Sequence, residues 1–294
     1  MSAPYPDYAS YLKGLFGCRV HKITVDAGLS CPNRDGTISF GGCIYCNERG
    51  SGTGALARGL SVAAQLEAAM PYLGRRFGAK KFLAYFQSFT NTHAPVERLS
   101  AIWNEALSVP DVVGLSIGTR PDCVPDPVLD LARRLSEKCL FWMEYGLQSA
   151  NDRTLSLINR GHDSRAFADA VKRTKARGIP VCAHAILGLP GETPADMAAT
   201  ANFLAGLGVE GVKLHLLYIV KNTPMEALFR AGKYQCLTED EYVALAVDFI
   251  RRLPPSTIIH RLTGDPHPDE LAAPSWLIGS KSRVIAKIRD SLGK

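Results

Sequence analysis

Apolar residues recur along this chain in two alternating rhythms. Six short runs have the composition of strands: HKITVD (21–26), KFLAYFQ (81–87), VVGLSIG (112–118), LFWMEYG (140–146), VCAHAILG (181–188) and VKLHLLY (212–218). Helical spacing fills the intervals. In 61–77, Val62, Leu66, Met70, Leu73 and Phe77 fall on one face. Boundary residues agree with this division. Asn151 and Asp163 read as N-caps, and Gly178 followed by Pro180 reads as a helix stop. Thr193-Pro194 reads as a cap followed by a first-turn proline. Thr238 with Glu241 makes a capping box for a helix carrying Tyr242, Leu245 and Phe249. Six βα repeats of this kind predict a parallel sheet with helices outside it.

Side chains alternate faces along a strand with period two, so each run divides. Val212, Leu214, Leu216 and Tyr218 share one face of 212–218 and leave Lys213 and His215 on the other. Cys182, His184 and Ile186 share a face of 181–188, and 112–118 sets Gly114, Ser116 and Gly118 against Val113, Leu115 and Ile117. Gln87 and Glu144 stand near the C-terminal ends of their strands. Several strands therefore have one greasy face for a helix layer and one small or polar face. A complete eight-stranded barrel fills its interior with branched apolar side chains. A polar inner face predicts a wider, partly open barrel with a lumen. Any one of these polar residues could be a hydrogen-bonded core group; their shared pattern points to a cavity.

Composition narrows the class. A chain of 294 residues, 46% apolar, suffices for one large core. No apolar run approaches the roughly 20 residues that cross a bilayer. The start, MSAPYPDYASYLKG, lacks the basic head and apolar core of a signal peptide. The expectation is a cytoplasmic protein with no membrane partner. Eight cysteines suit a reducing compartment if three are ligands and the others thiols. The net charge of +6 gathers in three clusters: Arg75, Arg76, Lys80 and Lys81; Lys172, Arg173, Lys175 and Arg177; Lys281, Arg283, Lys287 and Arg289. Such clusters suit a polyanion such as tRNA without demanding one.

The candidate chemistry lies in CPNRDGTISFGGCIYC, where Cys31, Cys43 and Cys46 lack a nearby fourth cysteine. Four thiolates close a cubane cluster or a structural zinc site, whereas three leave one metal corner open for a substrate. Gly41 and Gly42 let the backbone wrap a bulky inorganic object. Cys43 and Cys46 alone could be a redox pair or half a zinc site. Cys18, His21 or His93 could supply a fourth zinc ligand. Ligands bind at the C-terminal ends of strands in parallel α/β folds, and the other unusual phrases fall there: QSFTNTHAP, GTRPDCVPD, EYGLQSANDRTL and GLPGET.

The C-x11-C-x2-C spacing resembles the cluster motif of radical SAM enzymes, with a lengthened first interval. With GLSIGTRPDCVPD, LQSANDRTLSLINRGHD, GLPGE, KLHLLYIVK and HRLTGD, nearly the whole chain resembles the YtqA/YhcC-type (MnmL-like) branch, related to the catalytic subunit of Elongator. The resemblance implies an α/β fold, a partial (β/α)6 TIM-like barrel in one domain. Residues 1–20 would be an N-terminal extension, 21–220 the barrel core with its cluster loop at 31–46, and 221–294 a C-terminal helical extension. It implies a [4Fe–4S] cluster on Cys31, Cys43 and Cys46, whose open iron the amino and carboxylate groups of S-adenosylmethionine chelate. Tyr45 would pack near the adenine, and Ile186-Leu187-Gly188 would line it, with Gly191 also allowing close approach.

Glu144 would face the ribose, with Gln148 and His184 beside the same cofactor. Arg120 would bind the methionine carboxylate or a substrate anion, or else pair with Asp122 or Asp126. The Gly-Gly-Glu motif for the methionine amine is absent, and Gln87-Ser88 stands in its place. Cys123 and Cys182 could face the cavity; Cys18, Cys139 and Cys236 read as ordinary thiols. His260, Arg261 and Asp265, with Trp276, would form the substrate end or a structural cap. The implied chemistry is a 5′-deoxyadenosyl radical that abstracts hydrogen, fed by an electron donor such as flavodoxin or ferredoxin. The branch implies a tRNA substrate: removal of carboxymethyl from 5-carboxymethylaminomethyluridine at the wobble position. The competing readings are a radical enzyme on a small metabolite or protein, and a non-enzymatic zinc protein that binds RNA.

Overall fold

The computed structural model describes residues 3–48, 50, 59–264 and 266–293. The six expected strands all form: β1 (Val20–Val25), β2 (Lys81–Phe86), β3 (Val112–Thr119), β4 (Leu140–Gln148), β5 (Val181–Leu187) and β6 (Gly211–Leu216). They pair in sequence order and in parallel. A two-residue strand β7 (Ile219–Val220) follows, and then a seventh member of the sheet, β8 (Ile258–Arg261), pairs in parallel with β6. The C-terminal part is therefore not purely helical. A strand of four residues is too short for its periodicity to show in the sequence. β7 pairs antiparallel with β9 (Leu271–Ala273). The result is a curled parallel sheet of the TIM-like, half-barrel kind.

Local signals set the helices. α1 (Tyr8–Phe16) precedes the sheet and is capped by Asp7, whose carboxylate accepts from the Ser10 amide at 3.0 Å. α2 (Val62–Phe77), α3 (Val96–Ser108) and α4 (Asp126–Ser136) follow the first three strands. After β4, α5 (Asp152–Leu157) and α6 (Ser164–Lys175) start at the expected caps, Asn151 and Asp163. α7 (Pro194–Leu207) opens on Thr193 in a capping box with Asp196. α8 (Pro224–Arg230), α9 (Glu239–Arg251) with its Thr238–Glu241 box, and α10 (Lys281–Leu292) complete the chain.

The period-two reading of the strands fits the packing. Leu115, Ile117, Met143, Tyr145, Val212, Leu214 and Leu216 lie in the core beneath the helices. Val113 is the exception. The β2–β3 register passes from Phe82↔Val112 to Leu83↔Gly114, so Val113 is an extra residue. It packs with the opposite set, beside Tyr8, Leu12, Val20, Leu83, Trp142 and Cys182. That set closes the N-terminal end of the lumen, and α1 is its plug. The plug is pinned by the Ile259 amide, which donates to the Pro6 carbonyl at 2.8 Å. Burying apolar surface there, at about 25 cal/mol per Å², keeps water out of the lumen from below.

Candidate functional site: a cysteine-rimmed lumen

The cysteine loop is shaped by glycines and fastened by residues far away in sequence. Gly41 and Gly42 have φ of 83° and 76°, a left-handed backbone that favours glycine. A Cβ on Gly42 would lie 2.7 Å from the Arg34 Nε. Arg34 uses that space to donate to the carbonyls of Cys46 at 3.2 Å and Asn47 at 2.6 Å. The segment after α5 holds the other side. Asn159 donates from Nδ2 to the Gly42 carbonyl at 2.8 Å, and the Ile44 amide donates to Ile158 at 3.1 Å. Asn33 in turn donates to the Asn159 carbonyl and points the same amide at the Cys43 sulfur, 3.8 Å away.

Arg160 completes this clamp. It donates from Nη2 to the Gly146 carbonyl at 2.7 Å and from Nη1 to the Cys43 sulfur at 3.7 Å. A hydrogen bond from Cys46 holds the Cys43 thiol well below its usual range, and Arg160 adds to this against the effect of burial. Cys46 keeps its proton, because of that hydrogen bond and burial. A cationic surround of this kind suits metal-binding thiolates.

Cys31, Cys43 and Cys46 line one cavity of about 630 Å³. Tyr45, Gln87, Arg120, Glu144, Gln148, His184 and Ile186 line it too, so ten of the eleven expected site residues meet there. Gly188 does not line it. Its φ of 85° and its neighbour Leu237, 2.9 Å from where a Cβ would lie, make it a packing glycine. Tyr234 donates to its carbonyl at 2.6 Å. Arg120 is also committed elsewhere: Nε and Nη2 donate to Asp122 at 2.9 and 2.8 Å, and Nη1 to the Arg160 carbonyl at 2.7 Å. The ion pair with Asp122 is thus the arrangement present, while Asp126 pairs with Arg173 and Arg177.

Glu144 is fully buried at the lumen floor. It accepts from Lys22, from His184 Nε2 at 2.8 Å and from Lys213 Nζ at 3.1 Å. Burial opposes its charge, but Lys213 and Lys22 outweigh burial and hold the carboxyl well below its usual range. Its partners are therefore cationic side chains of the chain itself. Lys213 also donates to the Tyr85 hydroxyl at 2.7 Å. Burial, the largest effect, pulls Lys213 down to about 7. His184 and His215 face each other with ring centroids 5.4 Å apart.

Other expectations separate. Cys182 is buried beside Glu144, its register partner on β4, among the plug residues and does not line the cavity. His260 stacks on Tyr8 at 3.8 Å and meets Trp142 edge-on at 4.5 Å, a structural position. Trp276 donates from Nε1 to the Leu237 carbonyl at 3.0 Å. Arg261 does line the lumen; Asp265 lies outside the described residues. Two of the three basic clusters are partly tied into ion pairs. Arg173 and Arg177 meet Asp126, Asp130 and Asp169, while Arg283 and Lys287 meet Glu239 and Asp240. Arg34, Asn159, Arg160, Lys22 and Tyr85 were not singled out in the sequence. The phrase LINRGHD was the available signal for Asn159 and Arg160.

The donor set fits a cluster better than a single zinc ion. Tetrahedral zinc places sulfurs roughly 3.8 Å apart. Among the described residues, the one set of three ligand atoms lying within 4.8 Å of one another is Glu144, Cys182 and His184, not the three cysteines. A wider triad suits a cubane, whose thiolates stand on separate irons. Two of the three possible fourth zinc ligands are also engaged: His93 with Asp35 at 3.0 Å, His21 with the Lys22 carbonyl at 2.9 Å.

Comparison with known proteins agrees. The Radical SAM superfamily model matches residues 34–204, and the Radical_SAM C-terminal domain model matches residues 209–294. The uncharacterized protein YtqA of Bacillus subtilis (strain 168) is 42% identical over 282 residues, 96% of this chain and 87% of that protein. Protein YhcC of Escherichia coli (strain K12) is 42% identical over 262 residues, 89% of this chain and 84% of that protein. The archaeal Methanocaldococcus infernus Elp3 with an N-terminal deletion shares the fold, with a TM-score of 0.69 at 17% identity. That match covers 92% of this chain and 63% of the Elp3 chain. The family matches and these relatives show that the chain belongs to the radical SAM superfamily and is an enzyme of that class, which implies a [4Fe–4S] cluster and S-adenosylmethionine.

Proposed function

We propose that this radical SAM enzyme acts on tRNA, removing the carboxymethyl group of 5-carboxymethylaminomethyluridine at the wobble position to leave 5-aminomethyluridine. The reading is supported by the resemblance of nearly the whole chain to the YtqA/YhcC-type branch. The observation that supports its radical SAM chemistry is the union, in one cavity, of the three cysteines and the polar strand faces. A volume of about 630 Å³ is of the size that takes a cofactor-scale ligand.

Cys31, Cys43 and Cys46 would hold the cluster. When bound, the cluster with S-adenosylmethionine supplies a 5′-deoxyadenosyl radical able to take hydrogen from an unactivated C–H bond. The chain's own residues position and protect. Tyr45 and Ile186 offer apolar surface for an adenine, and Gln87 and Gln148 offer amides for polar atoms of the cofactor. Arg34 and Arg160 place positive charge beside the sulfurs. The Tyr8–Trp142 plug shuts out water from below, and the Glu144 network holds the floor rigid. A flavodoxin or ferredoxin would supply electrons, in the cytoplasm. Among the described residues no helix is long and apolar enough to cross a membrane.

The test is a comparison of modified nucleosides in tRNA from wild-type and deletion cells. Loss of 5-aminomethyluridine-derived nucleosides with retention of 5-carboxymethylaminomethyluridine is expected. Identical nucleoside profiles would reject the tRNA assignment and leave the superfamily assignment standing.

A further inference from the structure

The lumen floor holds more cations than anions. Glu144 is its buried carboxylate, and both oxygens are taken by Lys22, Lys213 and His184. Arg261 ends β8 in register with Lys213 and lines the same cavity, half-buried. Its side chain makes no hydrogen bond or ion pair with any described residue. A guanidinium carries five donors, and partial burial without acceptors costs free energy. Of the described floor residues, Lys213 is a donor, and the Tyr85 hydroxyl already accepts from it. His184, His215 and Lys213 are all less basic than usual, chiefly through burial, with neighbouring cations adding to the effect.

We infer that Arg261, in the cavity that His215 also lines, forms the subsite that receives a carboxylate of the substrate. The planar fork of a guanidinium matches the two oxygens of a carboxylate. The cations that contact the cysteine loop are Arg34 and Arg160, through the Cys46 and Asn47 carbonyls and the Cys43 sulfur. Arg261 acts instead on the floor groups Tyr85, Lys213 and His215. This inference deepens the proposed function and rests on it only for which molecule carries the carboxylate.

The test uses cluster-loaded protein with S-adenosylmethionine, titrated calorimetrically with acetate, N-methylglycine, methylamine and inorganic phosphate. Both carboxylates should bind the wild type, and methylamine should not. Arg261→Gln should weaken their binding at least about tenfold, the scale of one charge-assisted hydrogen-bonded pair, and Arg261→Lys should weaken it less. Iron content read alongside confirms that the variants fold. No carboxylate binding to the wild type, equal binding to Arg261→Gln, or binding of phosphate alone would overturn the subsite. The tRNA reading is tested separately. If carboxylates bind through Arg261 but tRNA bearing 5-carboxymethylaminomethyluridine is not turned over, only the tRNA reading fails. If that tRNA is turned over with the same KM by wild type and Arg261→Gln, the subsite fails.

Discussion

Arg160 aims a guanidinium nitrogen at the sulfur of Cys43, 3.7 Å away, across 117 positions of sequence. The same side chain ties the loop to β4 through the Gly146 carbonyl. Hydrogen bonds and positive charge at a ligand sulfur stabilise the more reduced, more negative state of an iron–sulfur centre. Arg160→Gln should therefore move the cluster potential negative, by roughly tens of millivolts, while Arg160→Lys should retain part of the charge effect. Redox titration followed by electron paramagnetic resonance measures both. An unchanged potential in Arg160→Gln would count against electrostatic tuning.

The cysteine assignment has a direct test. Changing Cys31, Cys43 or Cys46 to Ala should abolish reductive cleavage of S-adenosylmethionine and lower bound iron and sulfide. Changing Cys139, which donates to the Leu135 carbonyl at 3.3 Å at the end of α4, should do neither. A Cys43→Ala protein with a full cluster and full cleavage would refute the triad.

Glu144→Gln removes the carboxylate on which Lys22, His184 and Lys213 converge. Breaking a buried ionic group by taking one partner costs about 3–5 kcal/mol, so the variant should unfold at markedly lower urea. Lys213→Met should cost less, because Lys22 and His184 remain. A variant of undiminished stability that binds S-adenosylmethionine more weakly would instead assign Glu144 to the ribose.

Acid should destabilise the fold before the surface carboxylates titrate. Burial pulls His184 down to about 4 and pulls His215 and His260 well below their usual range. Above about pH 6.5 neither folded nor unfolded histidine is protonated, and these shifts have no effect. As pH falls from there toward 4, the unfolded chain binds protons that folded His184 refuses, so stability falls. His184 alone contributes a loss on the order of 2–3 kcal/mol at pH 4. The lowered Glu144 acts in the same direction at still lower pH. Urea midpoints from pH 7 to 4 should drop, and His184→Gln should flatten that drop. A profile unaltered by the substitution would dissociate His184 from it.

Much of this architecture was legible along the chain because its causes are local. Thr193 and Thr238 cap helices through bonds to residues three positions on. Strand alternation put Lys213 and His215 opposite Leu214, and ten of the expected site residues meet at one cavity because strand ends converge. The chain also placed three cysteines in one loop between glycines.

Tertiary structure decided which of those residues are free to act. For Arg120 the chain allowed an anion ligand or an ion pair, and the structure has the pair with Asp122; around Glu144 it gathers Lys22 and Lys213 from distant strands. Two of the basic clusters meet Asp126 and Glu239 in ion pairs that span tens of positions of sequence. α1 read as an extension, and it is the plug. Periodicity and capping act over one or two turns of chain, so sequence carries them. Ion pairing, desolvation and the closing of a lumen depend on which distant elements share a volume, as Glu144 and Lys22 do across 122 positions.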